Sequence, residues 1–171
     1  YAPRRIVLDA LLVEAASAAG AELRERFTVQ ELLWEDDRVV GIRGRAHDGR
    51  SATERARIVI GADGAHSFVA QAVGAPRYHE RPTLTFAYCS YFSGVPMGGG
   101  EVWLQHGCAY INFPTNDGLT CVAIQAPVGG FQAFRADIEG NFFRTLDRIP
   151  ELAERVRTGR REERWTGTAD L

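Results

Sequence analysis

The residues with the clearest capacity for chemistry form a short acidic turn. Asp63 lies between Gly61 and Gly64, directly after the continuous β-branched run Ile58-Val59-Ile60. That run predicts a strand buried on both faces, and the apolar stretch from Phe68 to Val73 predicts a short helix after the turn. Because glycine has no Cβ, the backbone at both glycines can approach a ligand closely or adopt a positive φ.

Two interpretations of this turn stay open. In the first, the following helix directs unpaired N–H groups and its positive dipole end at a phosphate, while Asp63 accepts a hydrogen bond from a ribose or an amide. In the second, the segment is a tight Asp-Gly turn in which Asp63 or Ser67 caps the helix. His66 would accordingly approach the phosphate or be an exposed turn residue.

The turn resembles the DG motif of class A flavoprotein monooxygenases, the para-hydroxybenzoate hydroxylase-like FAD family. The matching residues are Gly61-Ala62-Asp63-Gly64-x-x-Ser67. Upstream, Arg5-Ile6-Val7-Leu8-Asp9-x-x-Leu12 is similar to a helix whose arginine lies by the flavin in that family. The resemblance follows the order of elements over the whole chain and is strongest in residues 4–75. It departs at Ala70, where the family's motif usually carries an arginine whose contribution would be missing or supplied elsewhere.

The resemblance implies an FAD-dependent oxidoreductase, in the first place a monooxygenase. In such an enzyme NAD(P)H reduces FAD, and the reduced flavin activates O₂ for transfer to a small organic substrate. The resemblance places Arg5 near the isoalloxazine or the nicotinamide, and Asp63 with Gly61 and Gly64 at the cofactor. Ser67 would set the start of the adjoining helix within this cofactor-binding group. The resemblance implies no particular catalytic residue.

Three alternatives stay open. A flavin-dependent reductase of polyprenyl double bonds has the same fold but would turn over without consuming oxygen. A flavin halogenase ranks lower, because it needs a catalytic lysine and this chain contains no lysine. A non-catalytic ligand-binding module, which would bind its ligand without a flavin, represents a different class.

The chain contains no Gly-x-Gly-x-x-Gly phosphate loop. If the resemblance holds, we expect it to be an internal piece of a larger enzyme, without the N-terminal βαβ dinucleotide unit and without the later Gly-Asp segment. Alone, such a piece would be inactive and would bind FAD weakly or not at all.

Composition narrows the classes further. A hydrophobic content of 45% and a charged content of 25% in 171 residues are typical of a globular protein, and a net charge of -2 argues against nucleic acid as a partner. The absence of lysine excludes a lysine nucleophile. The histidines and the three cysteines (Cys89, Cys108 and Cys121) lack metal-ligand spacing, so no metal site is predicted.

The cysteine pattern favours reduced, buried thiols in a cytoplasmic protein. No apolar run is long enough to span a membrane, so we expect a soluble chain without stable membrane insertion. The sequence does not fix the oligomeric state, and a homodimer stays open.

Hydrophobic periodicity and turn residues predict an α+β fold. A helix and a three-stranded β-meander of an FAD-binding domain would occupy residues 1–77, with the DG motif at 61–67. An antiparallel substrate-binding sheet with a covering helix would occupy residues 78–171. The predicted helices are 5–19, 131–149 and 151–157, and the predicted strands are 28–34, 38–45, 51–60, 83–92, 101–105, 109–113 and 119–126, with further strand character at 160–164 and 165–168.

The second sheet is rich in aromatic residues with polar tips, which suit an apolar ligand that must be held in one orientation. The candidate substrate-binding residues are Tyr88, Trp103, Tyr110 and Asn112, together with Tyr91. Each could equally be an ordinary core residue. A shift of one residue exchanges the two faces of a strand, so the sequence does not decide which face meets a ligand.

Overall fold

A computed structural model describes residues 2–169 and 171. The chain forms two compact units. The meander unit is Val13–Glu80, and the sheet unit combines the residues up to Leu12 with Arg81–Leu171. Helix α1 (Arg5–Ala18), close to its predicted bounds, begins in the sheet unit and ends in the meander unit. The predicted α+β class is confirmed, because helices accompany two antiparallel sheets.

The meander unit contains the three predicted strands in the predicted order. They are β1 (Phe27–Glu35), β2 (Arg38–Ala46) and β3 (Ser51–Arg55), each antiparallel to the next. The tight turns between them need left-handed backbone, which Asp36 supplies at φ 51° and Gly49 at φ 83°. Asp and Gly tolerate the left-handed backbone region better than most residues, so these turns can be predicted from the sequence.

The prediction of a buried strand at Ile58-Val59-Ile60 is wrong. The run has no regular secondary structure, and Ile58 and Ile60 are 76% and 83% exposed. A β-branched run becomes a strand only where a neighbour satisfies its backbone N–H and C=O groups. No strand in the described part of the chain pairs with it, so the meander ends at β3.

The sheet unit is built on an antiparallel sheet whose four main strands agree with prediction. Two short strands extend it. The strands are β4 (Thr85–Ser93), β5 (Glu101–Gln105), β6 (Cys108–Pro114), β7 (Thr120–Pro127), β8 (Arg160–Arg161) and β9 (Thr166–Thr168). Their order in the sheet is β5-β6-β7-β4-β8, with β9 also paired to β4.

A short helix, α2 (Phe68–Ala72), lies in the meander unit.

The prediction of one helix over 131–149 is wrong, because Asp137 divides that segment. Its backbone is extended, at φ -148° and ψ 80°, and its side chain accepts a hydrogen bond from the Gly140 N–H at 3.0 Å, as an N-cap does. The three helices that follow β7 are α3 (Phe131–Ala136), α4 (Ile138–Leu146) and α5 (Pro150–Thr158).

The sheet has two different faces. On the covered face, large side chains pack with those of α3, α4 and α5 in one core; Phe86, Tyr88, Tyr110, Val122, Ile124, Phe134, Phe142, Leu146 and Leu152 belong to it. The open face carries the alternate residues: Thr85, Ala87, Cys89, Tyr91, Val102, Leu104, Ala109, Ile111, Phe113, Cys121, Ala123 and Gln125. Among the described helices, none has the length and apolar character to cross a bilayer.

Candidate functional site

Asp63 stands at the start of α2, and that helix binds its carboxylate. Oδ1 accepts a hydrogen bond from the Ser67 hydroxyl at 2.5 Å, and Oδ2 accepts from the backbone N–H groups of Phe68 and Val69 at 2.7 and 3.2 Å. The Ser67 hydroxyl, followed by the backbone N–H groups, lowers the pKa of Asp63 below its ordinary value. Asp63 is therefore a firmly ionised cap at neutral pH.

Ser67 is the N-cap residue itself, since its Oγ accepts from the Ala70 N–H at 2.9 Å. The N–H groups of Phe68, Val69 and Ala70 thus all have partners within the turn. The expectation that α2 would direct unpaired N–H groups at a phosphate is not met at these three positions. The capping interpretation of the turn describes the local structure.

Gly61 and Gly64 are each required for a different structural reason. Gly64 adopts φ +86°, and a Cβ there would meet no heavy atom within 4 Å, so the turn is open on this side. Gly61 lies against α2, where a Cβ would stand 2.7 Å from Cβ of Val69. Gly61 therefore allows the turn to pack on the helix, and Gly64 allows the chain to reverse.

Asp63 also lines an apolar cleft of about 380 Å³ within the meander unit. Its other lining residues are Phe27, Val29, Ile42, Val59, Ile60, Gly61, Ala62, Phe68 and Val69. A carboxylate offers about four lone-pair positions, and the turn occupies three at Asp63. One position on Oδ1 stays available, so the residues present can accept one hydroxyl or amide of a bound cofactor.

Arg5 is the first residue of α1 and forms an ion pair one turn along that helix. Its Nε lies 3.1 Å from Oδ1 of Asp9, and its Nη2 lies 3.1 Å from Oδ2. This hydrogen bonding raises the pKa of Arg5, and the side chain is 84% exposed. Asp9 is thus the anionic partner that offsets a cation at the positive end of a helix. The assignment of Arg5 to the flavin stays a prediction.

Three of the four predicted substrate-binding residues are buried on the covered face. Tyr110 is fully buried and donates its hydroxyl proton to the Thr145 carbonyl oxygen at 3.1 Å. The Tyr88 ring stacks on Phe134 with centroids 5.3 Å apart, and Asn112 is also fully buried. Their core role accounts for this burial, and their contact with a substrate stays a prediction.

Trp103, the fourth, is half-buried on β5, opposite Tyr110. Its Nε1–H donates to Oε2 of Glu101 at 3.4 Å. It packs against the edge of the same core. The register therefore places it on the same side of the sheet as the other three.

The open face contains Tyr91, the one candidate named from the sequence that does not lie on the covered face. None of its residues in β4–β7 is an Asp, Glu, Arg or His. At one end, the Arg4 guanidinium lies 4.7 Å from the centroid of the Tyr91 ring and pairs with Glu163, which balances its charge. At the other end, a cleft of about 470 Å³ contains a polar pair in which Gln125 donates to the Thr85 hydroxyl at 2.7 Å.

β4 gives only a partial signal for this face. Phe86, Tyr88 and Phe92 point into the core while Ala87 and Cys89 point away, but Ser90 is buried and Tyr91 lies on the open face, so the alternation of large and small residues is broken. Small side chains beside a packed core leave room for a ligand.

Among residues 2–169 and 171, no group of three or more His, Cys, Asp or Glu side chains is placed to hold a metal.

The fold occurs in flavoproteins of known structure. The myxobacterial chondrochloren halogenase CndH, an FAD-dependent halogenase, superposes with a TM-score of 0.88 at 25% identity, over 99% of this chain and 41% of that one. Residues 6–125 match the family described as FAD binding domain, and the chain belongs to that family.

Two curated relatives differ in their chemistry. Digeranylgeranylglycerophospholipid reductase of Methanosarcina mazei is 34% identical over 138 residues, which cover 72% of this chain and 32% of the relative. Monooxygenase cfoF of Aspergillus candidus is 38% identical over 107 residues, which cover 61% of this chain and 23% of the relative. The chain therefore spans only about a quarter to a third of the length of these proteins.

Proposed function

We propose that the full-length gene product is an FAD-dependent oxidoreductase that acts on a small apolar organic substrate. Membership of the FAD binding domain family supports the cofactor, and the open face, which has no acidic or basic residue in β4–β7, supports the kind of substrate. FAD, when bound, supplies the redox chemistry by taking reducing equivalents from NAD(P)H and passing them on to O₂ or to the substrate.

The meander unit contributes the acidic turn to cofactor binding. Asp63 accepts a hydrogen bond from a cofactor hydroxyl or amide with its remaining lone pair, while Ser67 holds the carboxylate in place. Gly64 leaves the backbone of the turn accessible, because no side chain stands over it. Arg5 supplies a cation for the flavin or the nicotinamide.

The open face receives the substrate. Ala87, Ala109 and Ala123 form a shallow apolar floor on three neighbouring strands, because Ala87 and Ala109 are both opposite Gln125 and Ala123 lies two residues before Gln125 on the strand between them. The Gln125–Thr85 pair at its end offers an amide and a hydroxyl that fix orientation. An apolar surface with few polar groups is the usual construction of a small-molecule site.

A monooxygenase is the first candidate, and a double-bond reductase is the second. The reductase is favoured by the digeranylgeranylglycerophospholipid reductase relative and by Ala70 in place of the arginine expected in the motif. Oxygen uptake during substrate-dependent NAD(P)H oxidation separates them. A monooxygenase consumes about one O₂ per NAD(P)H, and a reductase turns over under argon.

The cofactor assignment is tested by Asp63→Ala in the full-length gene product. Loss of a hydrogen bond to a charged acceptor should weaken FAD binding about tenfold or more, measured as the flavin-to-protein absorbance ratio after dilution. Asp37→Ala, in the β1–β2 turn outside the cleft, is the matched control. Ser67→Ala keeps the carboxylate but loses the hydroxyl that holds it, so its loss of flavin should be smaller than that of Asp63→Ala. Unchanged FAD occupancy and NAD(P)H-dependent flavin reduction in Asp63→Ala would show that the assignment is wrong.

A further inference from the structure

Two free cysteines lie together on the open face. Cys89 in β4 is opposite Ala123, and Cys121 in β7 is opposite Tyr91, so the two thiols are diagonal neighbours on adjacent antiparallel strands. Cys89 is partly exposed, whereas Cys121 is only 4% exposed. One sulfur is accessible, and the other stands beside it within the sheet.

The pair is electrostatically asymmetric. A hydrogen bond from the Cys121 thiol lowers the pKa of Cys89 to about 7, from an ordinary value of 9.0. The same contact and burial raise the pKa of Cys121. At neutral pH a large share of Cys89 is therefore thiolate, while Cys121 keeps its proton and remains the donor. Thiolate character combined with exposure is what makes a cysteine reactive.

Cys108 provides an internal contrast. It lies on the covered face, belongs to the core cluster and is 9% exposed. It borders the cleft of about 470 Å³, its sulfur lies 4.0 Å from Nη1 of Arg148, and it is less exposed than Cys89. The three cysteines of the chain thus occupy three different environments.

We propose that Cys89 is a modification site, a reactive thiol on the open face that peroxide oxidises to a sulfenic acid, with Cys121 as its positioning residue. The Cys89 sulfur attacks one oxygen of hydrogen peroxide, and an S–O bond forms as the O–O bond breaks. The leaving hydroxide takes a proton and departs as water. Sulfur loses two electrons, and peroxide gains them.

The strand register predicts that the reaction stops at this stage. Diagonal neighbours in an antiparallel sheet are about 7–8 Å apart at Cα. A disulfide cannot join cysteines whose Cα atoms are more than about 7 Å apart unless the backbone moves. Cys121 therefore supports the reactivity of Cys89 without forming a disulfide with it, and the sulfenic acid remains available to a trapping reagent.

The test treats the folded full-length gene product with hydrogen peroxide and dimedone at about pH 7, and locates adducts by peptide mass spectrometry. We expect dimedone on Cys89 and none on Cys121 or Cys108. In Cys121→Ala the thiolate fraction of Cys89 should fall from about one half to about one hundredth, partly offset by greater nucleophilicity, which gives about a sixfold slower reaction. Cys121→Ser keeps a donor and should restore most of the rate.

Cys108→Ser is the matched control, since it removes a buried thiol from the other face and should leave the rate unchanged. Circular dichroism checks that each variant is folded. Equal rates in wild type and Cys121→Ala would overturn the role of Cys121. Adducts that form on Cys121 or Cys108 as fast as on Cys89, or a Cys89–Cys121 disulfide as the main product, would overturn the proposed site.

Discussion

The two faces of the antiparallel sheet carry residues from the same strands but differ in the size and burial of their side chains. The covered face buries large aromatic and aliphatic side chains against three helices. The open face has apolar residues of mixed size, two thiols and one polar pair, and no acidic or basic residue in its four main strands. The comparison shows that residue type alone does not distinguish the two faces, because Tyr88 and Tyr110 lie in the core while Tyr91 lies on the open face.

The sharpest test of this comparison uses two adjacent residues of β7. Val122 is fully buried on the covered face, and Ala123 is its neighbour on the open face. Val122→Asp buries an unpaired carboxylate and should cost more than about 4 kcal/mol in free energy of unfolding. Ala123→Asp should cost about 1 kcal/mol or less, measured by urea denaturation.

The same pair of variants reports on function. Ala123→Asp places a charge on the proposed substrate floor, so it should raise KM for an apolar substrate by about tenfold or more in the full-length gene product. Ala123→Asp with normal turnover and KM would remove the open face from the substrate site. Two variants that unfold equally would remove the distinction between the faces.

The next effect in size concerns Tyr110. Tyr110→Ala leaves a cavity in the covered-face core and should lower the free energy of unfolding by about 3–5 kcal/mol. Tyr110→Phe removes only the hydrogen bond to the Thr145 carbonyl and should cost about 0.5–1.5 kcal/mol. Tyr91→Ala, on the open face, should cost clearly less than Tyr110→Ala in the same urea experiment. A larger loss in Tyr91→Ala would contradict the burial difference.

Much of the fold could be predicted because its signals are local. The Asp36 and Gly49 turns define the meander, and the strands of the second sheet agree with prediction to within about two residues. The prediction of a strand at Ile58-Val59-Ile60 was wrong, because a strand needs a neighbouring strand and the local sequence does not reveal one. The break at Asp137 was not predicted. An Asp inside an apolar helical pattern can either continue the helix or cap a new one, and here it caps α4.

At the acidic turn, too, the sequence revealed the motif but not its detailed structure. Its glycines and Asp63 are recognisable as a motif, and the motif led to the correct family. Its local geometry was not predictable to the same degree, because the hydrogen bonds from Ser67, Phe68 and Val69 depend on where α2 begins. The side of the sheet that meets a ligand was unpredictable for a different reason: both faces of β4 read as aromatic or apolar until the helices are placed.

A smaller effect is expected at Asn112. Its side chain is fully buried on the covered face, and neither amide atom has a hydrogen-bond partner among the described residues. Asn112→Leu keeps a similar branched shape without unsatisfied polar atoms, so it should raise the free energy of unfolding by about 1 kcal/mol. Loss of substrate turnover with increased stability would instead identify Asn112 as a ligand contact and would break the comparison of the two faces.

The smallest effect concerns the ion pair at the margin of the covered face. Arg155 on α5 binds Glu101 on β5 through two contacts, Nη1 to Oε1 at 2.8 Å and Nη2 to Oε2 at 2.5 Å. Hydrogen bonding to Arg155 lowers the pKa of Glu101 below its ordinary value of 4.5. A depressed carboxyl pKa contributes stability above the unfolded-state pKa and loses it as pH falls through the folded-state pKa.

Glu101→Gln should therefore reduce stability at about pH 6 by less than about 1 kcal/mol, because the pair is partly exposed to solvent. The difference from wild type should shrink as the pH is lowered below about 4.5. Melting temperatures across this range, with Glu139→Gln as a control for the exposed Arg161 pair, measure the effect. A difference that persists at the lowest pH would mean that the side chain of Glu101 holds the edge strand by packing, and that charge plays no part in closing the covered face.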